Sequence, residues 1–136
     1  MKLYRPVGVK ELQLIAESNY TAFPPRLPEQ PIFYPVLNSR YAEEIAQRWN
    51  TKDKNSGNKG YVTEFEIDDD YISRFEVHTV GASYHKELWI PCEELNNFNF
   101  VRKQLYICFR MIFYFTFMSE YGIIILYVFT LCIRRC

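Results

Sequence analysis

The chain has 136 residues and a mass of 16.4 kDa, enough for one hydrophobic core and too little for a multidomain enzyme. Sixteen basic and sixteen acidic side chains cancel, which argues against generic nucleic-acid binding, since that needs a basic excess or a basic face. With 49% hydrophobic and 18% aromatic residues, the composition excludes an intrinsically disordered chain.

The averages conceal two unlike segments. Residues 1–100 carry 11 Lys or Arg against 15 Asp or Glu, a balance of −4, and residues 101–136 carry 5 against Glu120 alone, a balance of +4. Cys108, Cys132 and Cys136 fall in the second segment and only Cys92 in the first, so no disulfide framework is expected there. The N-terminal residues lack the apolar run of a secretory signal, and the expected compartment is the reducing cytoplasm.

Residues 3–7 read as a strand. After Gly8, the apolar positions Val9, Leu12, Ile15 and Ala16 recur at helical spacing. Five of the seven prolines lie between residues 23 and 35, where they fix φ and remove donors, so a stiff irregular loop is expected. Its PxxP spacings suit a polyproline ligand, although Phe23, Leu27, Ile32 and Phe33 suit a packed connector better.

Asn38 and Ser39 offer helix caps to a segment with Tyr41, Ala42, Ile45, Ala46 and Trp49 at helical spacing. Residues 50–60 are polar and read as an exposed loop. A strand over residues 61–67 sets Tyr61, Thr63, Phe65 and Ile67 inward against Val62, Glu64 and Glu66. Asp68, Asp69 and Asp70 lack the Gly and Glu of a calcium loop and read as a solvated turn. Leu88, Trp89 and Ile90 form an apolar strand, and Cys92 opens a short helix. The expected fold is α+β, with a small mixed or antiparallel sheet and two to three helices. There is no glycine-rich phosphate loop of the Rossmann or P-loop kind.

Chemistry is sought at polar residues that interrupt apolar strands: Arg5, His85 and Glu87. A guanidinium presents a fork of donors suited to paired phosphate oxygens. A carboxylate on a neighbouring strand can hold a ribose hydroxyl and stabilise an oxocarbenium-like carbon when a nucleotide–sugar bond breaks. The plainer reading of Arg5 and Glu87 is a surface ion pair contributing about 0–1 kcal/mol. His78, His85 and Cys92 lack the spacing of a zinc site, and a Cys92 nucleophile with His85 as base ranks below simple packing.

The segments LYRPVG (residues 3–8), FPPRLPEQPIFYPVLN (residues 23–38) and ELWIP (residues 87–91) resemble a group of short bacterial proteins labelled ADP-ribosylation/crystallin J1. The resemblance covers about residues 1–99 and extends to a minimal ADP-ribosyltransferase fold. It implies that residues 1–100 bind NAD as a substrate, with Arg5 holding phosphate and Glu87 carrying catalysis. His85 stands where the first acid of the family's acidic pair would be, which leaves the ADP-ribose acceptor open. The family's Ser-Thr-Ser strand has no counterpart here; Phe33 and Tyr34 are the expected cover for the nicotinamide ring, and Arg26 is expected to join Arg5 at the pyrophosphate. The competing expectation is a non-catalytic binding module of the same fold.

Residues 101–136 depart from the resemblance. Between residues 105 and 133, 23 of 29 residues are apolar, and residues 111–133 are long enough for a membrane helix. Glu120 near the middle costs about 2.5–3.5 kcal/mol, which the Ile, Leu and Phe content can offset. The other readings of this tail are strands that complete the sheet and a non-native extension.

Overall fold

The computed structural model describes residues 1–49, 52–54 and 59–102, and the backbone of residues 108–113. Among these, four helices and several short antiparallel strands form an α+β fold. Strand β1 (Lys2–Val7) pairs with β3 (Lys59–Glu66) from Lys2↔Glu66 to Val7↔Tyr61. On its other edge β3 pairs with β7 (Cys108–Phe113) from Lys59↔Phe113 to Glu64↔Cys108.

The alternation of β1 places Leu3, Arg5 and Val7 on one buried face, which packs on the main core. That core is built on Phe23, Phe33, Phe65 and Phe98. Phe23 lies 4.9 Å from both Phe33 and Phe65, and Phe98 lies 5.1 Å from Phe33 and 5.7 Å from Phe65. Helix α1 (Val9–Glu17) contributes Ile15, and α4 (Leu95–Val101), which follows a 3-10 turn at Cys92–Glu94, contributes Leu95 and Phe98.

Helix α2 (Ser39–Arg48) covers the opposite face with Ala42 and Ala46 against Val36 and Val62. Its N-cap is Asn38, whose Oδ1 accepts the Tyr41 N–H at 3.2 Å. Both faces of β3 are therefore covered, which corrects the outward placement expected of Val62. Trp49 caps the end of α2 and is 71% exposed, a second departure from its expected place in the apolar stripe.

Three further elements depart from the sequence expectation. Strand β2 (Ile32–Phe33) emerges from the proline segment and pairs with β6 (Ile90–Pro91). Asp68 is the cap of a short helix α3 (Asp69–Ile72), its Oδ1 accepting the Tyr71 N–H at 3.0 Å, where a solvated turn was expected. Strand β4 (Val77–Thr79) forms a hairpin with β5 (Lys86–Leu88), so the expected single strand through Leu88, Trp89 and Ile90 is two strands in different pairings.

Among the described residues, the hairpin is joined to the main sheet through Val36. Val36 bridges Tyr4 of β1 on one side and Glu87 of β5 on the other. Among the described residues no helix is long and apolar enough to cross a membrane. Residues 111–113, the start of the expected membrane helix, are strand; the remainder of that span lies outside the described residues.

Candidate functional site

Arg5 is placed by strand alternation on the core face, where its guanidinium lies 4.7 Å above the Phe33 ring. A cation at such a position needs a counter-charge, and the turn at Gly8 brings the first turn of α1 back over β1 to supply it. Glu11 grips the guanidinium with both oxygens: Nε donates to Oε1 at 2.7 Å and Nη2 to Oε2 at 3.0 Å. Nη1 donates to the Tyr34 carbonyl at 3.3 Å.

Arg26 approaches the same carboxylate, with Nη1 3.9 Å from Glu11 Oε1. It is anchored within the proline segment, where Nε donates to the Ile32 carbonyl at 3.0 Å and Nη2 to Gln30 Oε1 at 3.3 Å. Burial, and next the neighbouring Arg5, pull its pKa below the ordinary arginine value. Two guanidiniums thus share one carboxylate.

Glu87 lies on the other face of the strands. Tyr4, Val36 and Glu87 are directly paired across the sheet and so share a face, whereas Arg5, the next residue after Tyr4, points away from it. Glu87 Oε1 accepts the Trp89 indole N–H at 2.9 Å. Burial, followed by the Glu87 carboxylate, raises the pKa of the Tyr41 phenol beside it. Trp89 stacks on His78 with ring centroids 3.8 Å apart at 11°, and meets Tyr34 edge to face at 6.3 Å and 82°.

His85 is engaged elsewhere. Its Nδ1 accepts the Ala82 N–H at 3.2 Å, which leaves the proton on Nε2 to be donated to Glu44 Oε2 at 2.9 Å. Glu44 Oε1 accepts the Tyr84 hydroxyl at 2.6 Å, and the His85 ring stacks on Tyr41 at 4.3 Å. The Tyr84 hydrogen bond foremost, and His85 after it, hold the Glu44 carboxyl below the usual carboxylate range.

A cleft of about 730 Å³ is bordered by Arg5, Arg26, Tyr34, Glu87 and Trp89, with Trp49 and Ile45 of α2 along one side. Its size falls within the range of small-molecule sites. Arg5 and Glu87 thus reach one cleft from opposite faces of the strands, and Arg26 and Tyr34 join them. Phe33 does not: it is fully buried beneath Arg5, and the expected aromatic residue on the border is Tyr34 alone, joined there by Trp89. His85, expected at the position of the first acid of the pair, lies outside the cleft lining and is bound to Glu44.

Among the described residues, no group of three His, Cys, Asp or Glu side chains is arranged to hold a metal. The exposed Cys92 thiol is pushed above its ordinary pKa by desolvation and then by Glu93, the opposite of an activated nucleophile. No family model, curated protein or solved structure matches this chain.

The site residues that the sequence reading overlooked are Glu11, Trp89 and Tyr41. For Trp89 the signal was present: it stands between buried Leu88 and Ile90, and alternation turns such a residue outward. Glu11 carried no comparable mark, because its pairing with Arg5 depends on how the chain turns at Gly8.

Proposed function

We propose that the cleft binds NAD and that the protein is an ADP-ribosyltransferase-like domain which transfers ADP-ribose from it. The observation that carries this reading is the shared border: Arg5, Arg26, Glu87 and two exposed aromatic rings, Tyr34 and Trp89, line one cleft whose volume of about 730 Å³ falls within the range of small-molecule sites. Arg5 and Arg26 supply the donors for a pyrophosphate, which competes with Glu11 for them. Glu87 supplies a carboxylate for the ribose hydroxyl next to the bond that breaks.

In the reaction, the bond between ribose C1′ and the pyridinium nitrogen breaks, and its electron pair stays with nicotinamide. The ribose carbon becomes oxocarbenium-like and is stabilised by the Glu87 carboxylate. An acceptor nucleophile then bonds to C1′ and releases its proton to solvent.

A second reading has its own support. The guanidinium of Arg5 is already gripped by both oxygens of Glu11, and Glu87 already accepts the Trp89 indole, as in a module that keeps the fold without turnover. Calorimetric titration with NAD, combined with assay of released nicotinamide, separates the two. The transferase reading expects equal binding by wild type and Glu87→Gln, with release lowered about a hundredfold in the variant. Binding without release from wild type supports the non-catalytic module, and no binding at millimolar NAD overturns the cofactor and the chemistry together.

A further inference from the structure

We infer that His78 is a positioning residue for the transfer step: its ring holds the Trp89 indole in the orientation from which the indole N–H fixes the Glu87 carboxylate. The inference rests on the transferase reading above for what Glu87 does, and on the hairpin of β4 and β5 for how Glu87 is held.

The register of the hairpin brings three side chains together. His78 is the direct cross-strand partner of Glu87, and Trp89, two residues beyond Glu87, is its diagonal neighbour. Side chains so related share a face, and an aromatic ring is long enough to span the diagonal. The His78 and Trp89 rings accordingly lie face to face, with centroids 3.8 Å apart and planes 11° apart, while the indole N–H donates to Glu87 Oε1 at 2.9 Å. Imidazole, indole and carboxylate close a triangle.

A carboxylate that stabilises an oxocarbenium-like carbon acts best when it already points at that carbon before the bond breaks. Glu87 depends on Trp89 for this. Trp89 is 45% exposed between buried Leu88 and Ile90, and Tyr34 meets it edge to face, at 82°. Without a ring lying flat against it, the indole is free to change rotamer and carry its N–H away from Glu87. The stack on His78 removes that freedom during folding, ahead of the reaction.

His78 has no competing engagement. Among the described residues neither of its nitrogens takes part in a hydrogen bond, and its one aromatic contact is the stack on Trp89. The other histidine, His85, is instead bound through both nitrogens, to the Ala82 amide and to Glu44. His78 therefore acts through its face, which makes the inference separable from any acid or base role for the imidazole.

The test follows the indole and the turnover in full-length wild type, His78→Ala and His78→Phe, each checked for native circular dichroism. The chain has two tryptophans, so a nitrogen–proton correlation spectrum shows two indole signals, and Trp49→Phe assigns the one that remains to Trp89. His78→Ala is expected to speed hydrogen exchange at the Trp89 indole and to lower kcat for nicotinamide release about tenfold, with KM for NAD within about twofold of wild type. His78→Phe, which restores a flat ring without a titrating group, is expected to bring exchange and kcat back to within about twofold of wild type. Unchanged indole exchange or unchanged kcat in His78→Ala overturns the positioning role and leaves the transferase reading standing. A loss of turnover that His78→Phe does not recover also overturns it, because the imidazole itself is then required. Absence of nicotinamide release from wild type overturns the transferase reading, and the role of His78 in turnover with it.

Discussion

Glu11 holds the Arg5 guanidinium with both carboxylate oxygens, at 2.7 and 3.0 Å, while the same guanidinium rests on the Phe33 ring. The Arg5 side chain is 8% exposed and that of Glu11 21%, so removing the carboxylate strands a mostly buried cation. Glu11→Ala is expected to cost about 3 kcal/mol, the low end for breaking a buried pair, and Glu11→Gln less because it keeps an acceptor. Urea denaturation at neutral pH measures both, and an unchanged midpoint in Glu11→Ala contradicts the assignment. Glu11→Gln should also bind inorganic pyrophosphate more tightly than wild type, since the resident competitor has lost its charge.

Phe98 joins α4 to the Phe23, Phe33 and Phe65 rings and is fully buried. Its truncation opens a cavity that three neighbouring aromatic rings cannot easily fill. Phe98→Ala is expected to destabilise the fold by about 3–5 kcal/mol, read as a fall in the denaturation midpoint. Phe100, only two residues away but 89% exposed, serves as the control, and Phe100→Ala should leave the midpoint within about 0.5 kcal/mol of wild type.

The link between Glu44, Tyr84 and His85 makes stability depend on pH at both ends. Glu44 is held below its ordinary value of 4.5, so its contribution is present above that pH and disappears as the pH falls through the lower folded value. Tyr84 is raised above its ordinary value of 10.0, foremost by the hydrogen bond to Glu44, so its contribution is present below that pH and disappears as the pH rises through the higher folded value. Glu44→Gln should therefore flatten both flanks of a midpoint-against-pH curve. A variant curve parallel to that of wild type would refute the linkage.

Gly81 stands against the His85 ring, and a Cβ added there would come within 2.6 Å of Nδ1. The ring has little freedom to withdraw, because it stacks on Tyr41 and is bound through Nε2 to Glu44. Gly81→Ala is expected to cost about 1–3 kcal/mol and to speed deuterium exchange at the Ala82 amide, which donates to Nδ1. Unchanged exchange there would mean that the loop accommodates the methyl without moving His85.

Much of the fold was legible from local pattern. The helical spacing around Ala42 and Ala46, the cap at Asn38 and the alternation of Leu3, Arg5 and Val7 each specify an element without reference to distant residues. Val62 was not legible, because alternation presumes one wet face and both faces of β3 are covered. Nor was β4, three residues whose strand character comes from pairing with β5. That Phe33 and Tyr34 cannot both border the cleft was legible too, since neighbours on an extended chain face opposite ways. The contact between Arg5 and Glu11 was beyond such reasoning, since it joins a strand to a helix across a turn.

The narrow junction at Val36 has a mechanical consequence. Two backbone bonds stitch it to Tyr4, and two more run from its neighbours Pro35 and Leu37 to Leu88 and Lys86. The strand carrying Arg5 is therefore held, at this place, by two bonds to the segment around Val36, and that segment by two more to the strand carrying Glu87. Any breathing that widens the gap between those strands must loosen this seam, so the amides of Val36 and Leu88 are natural sentinels for it.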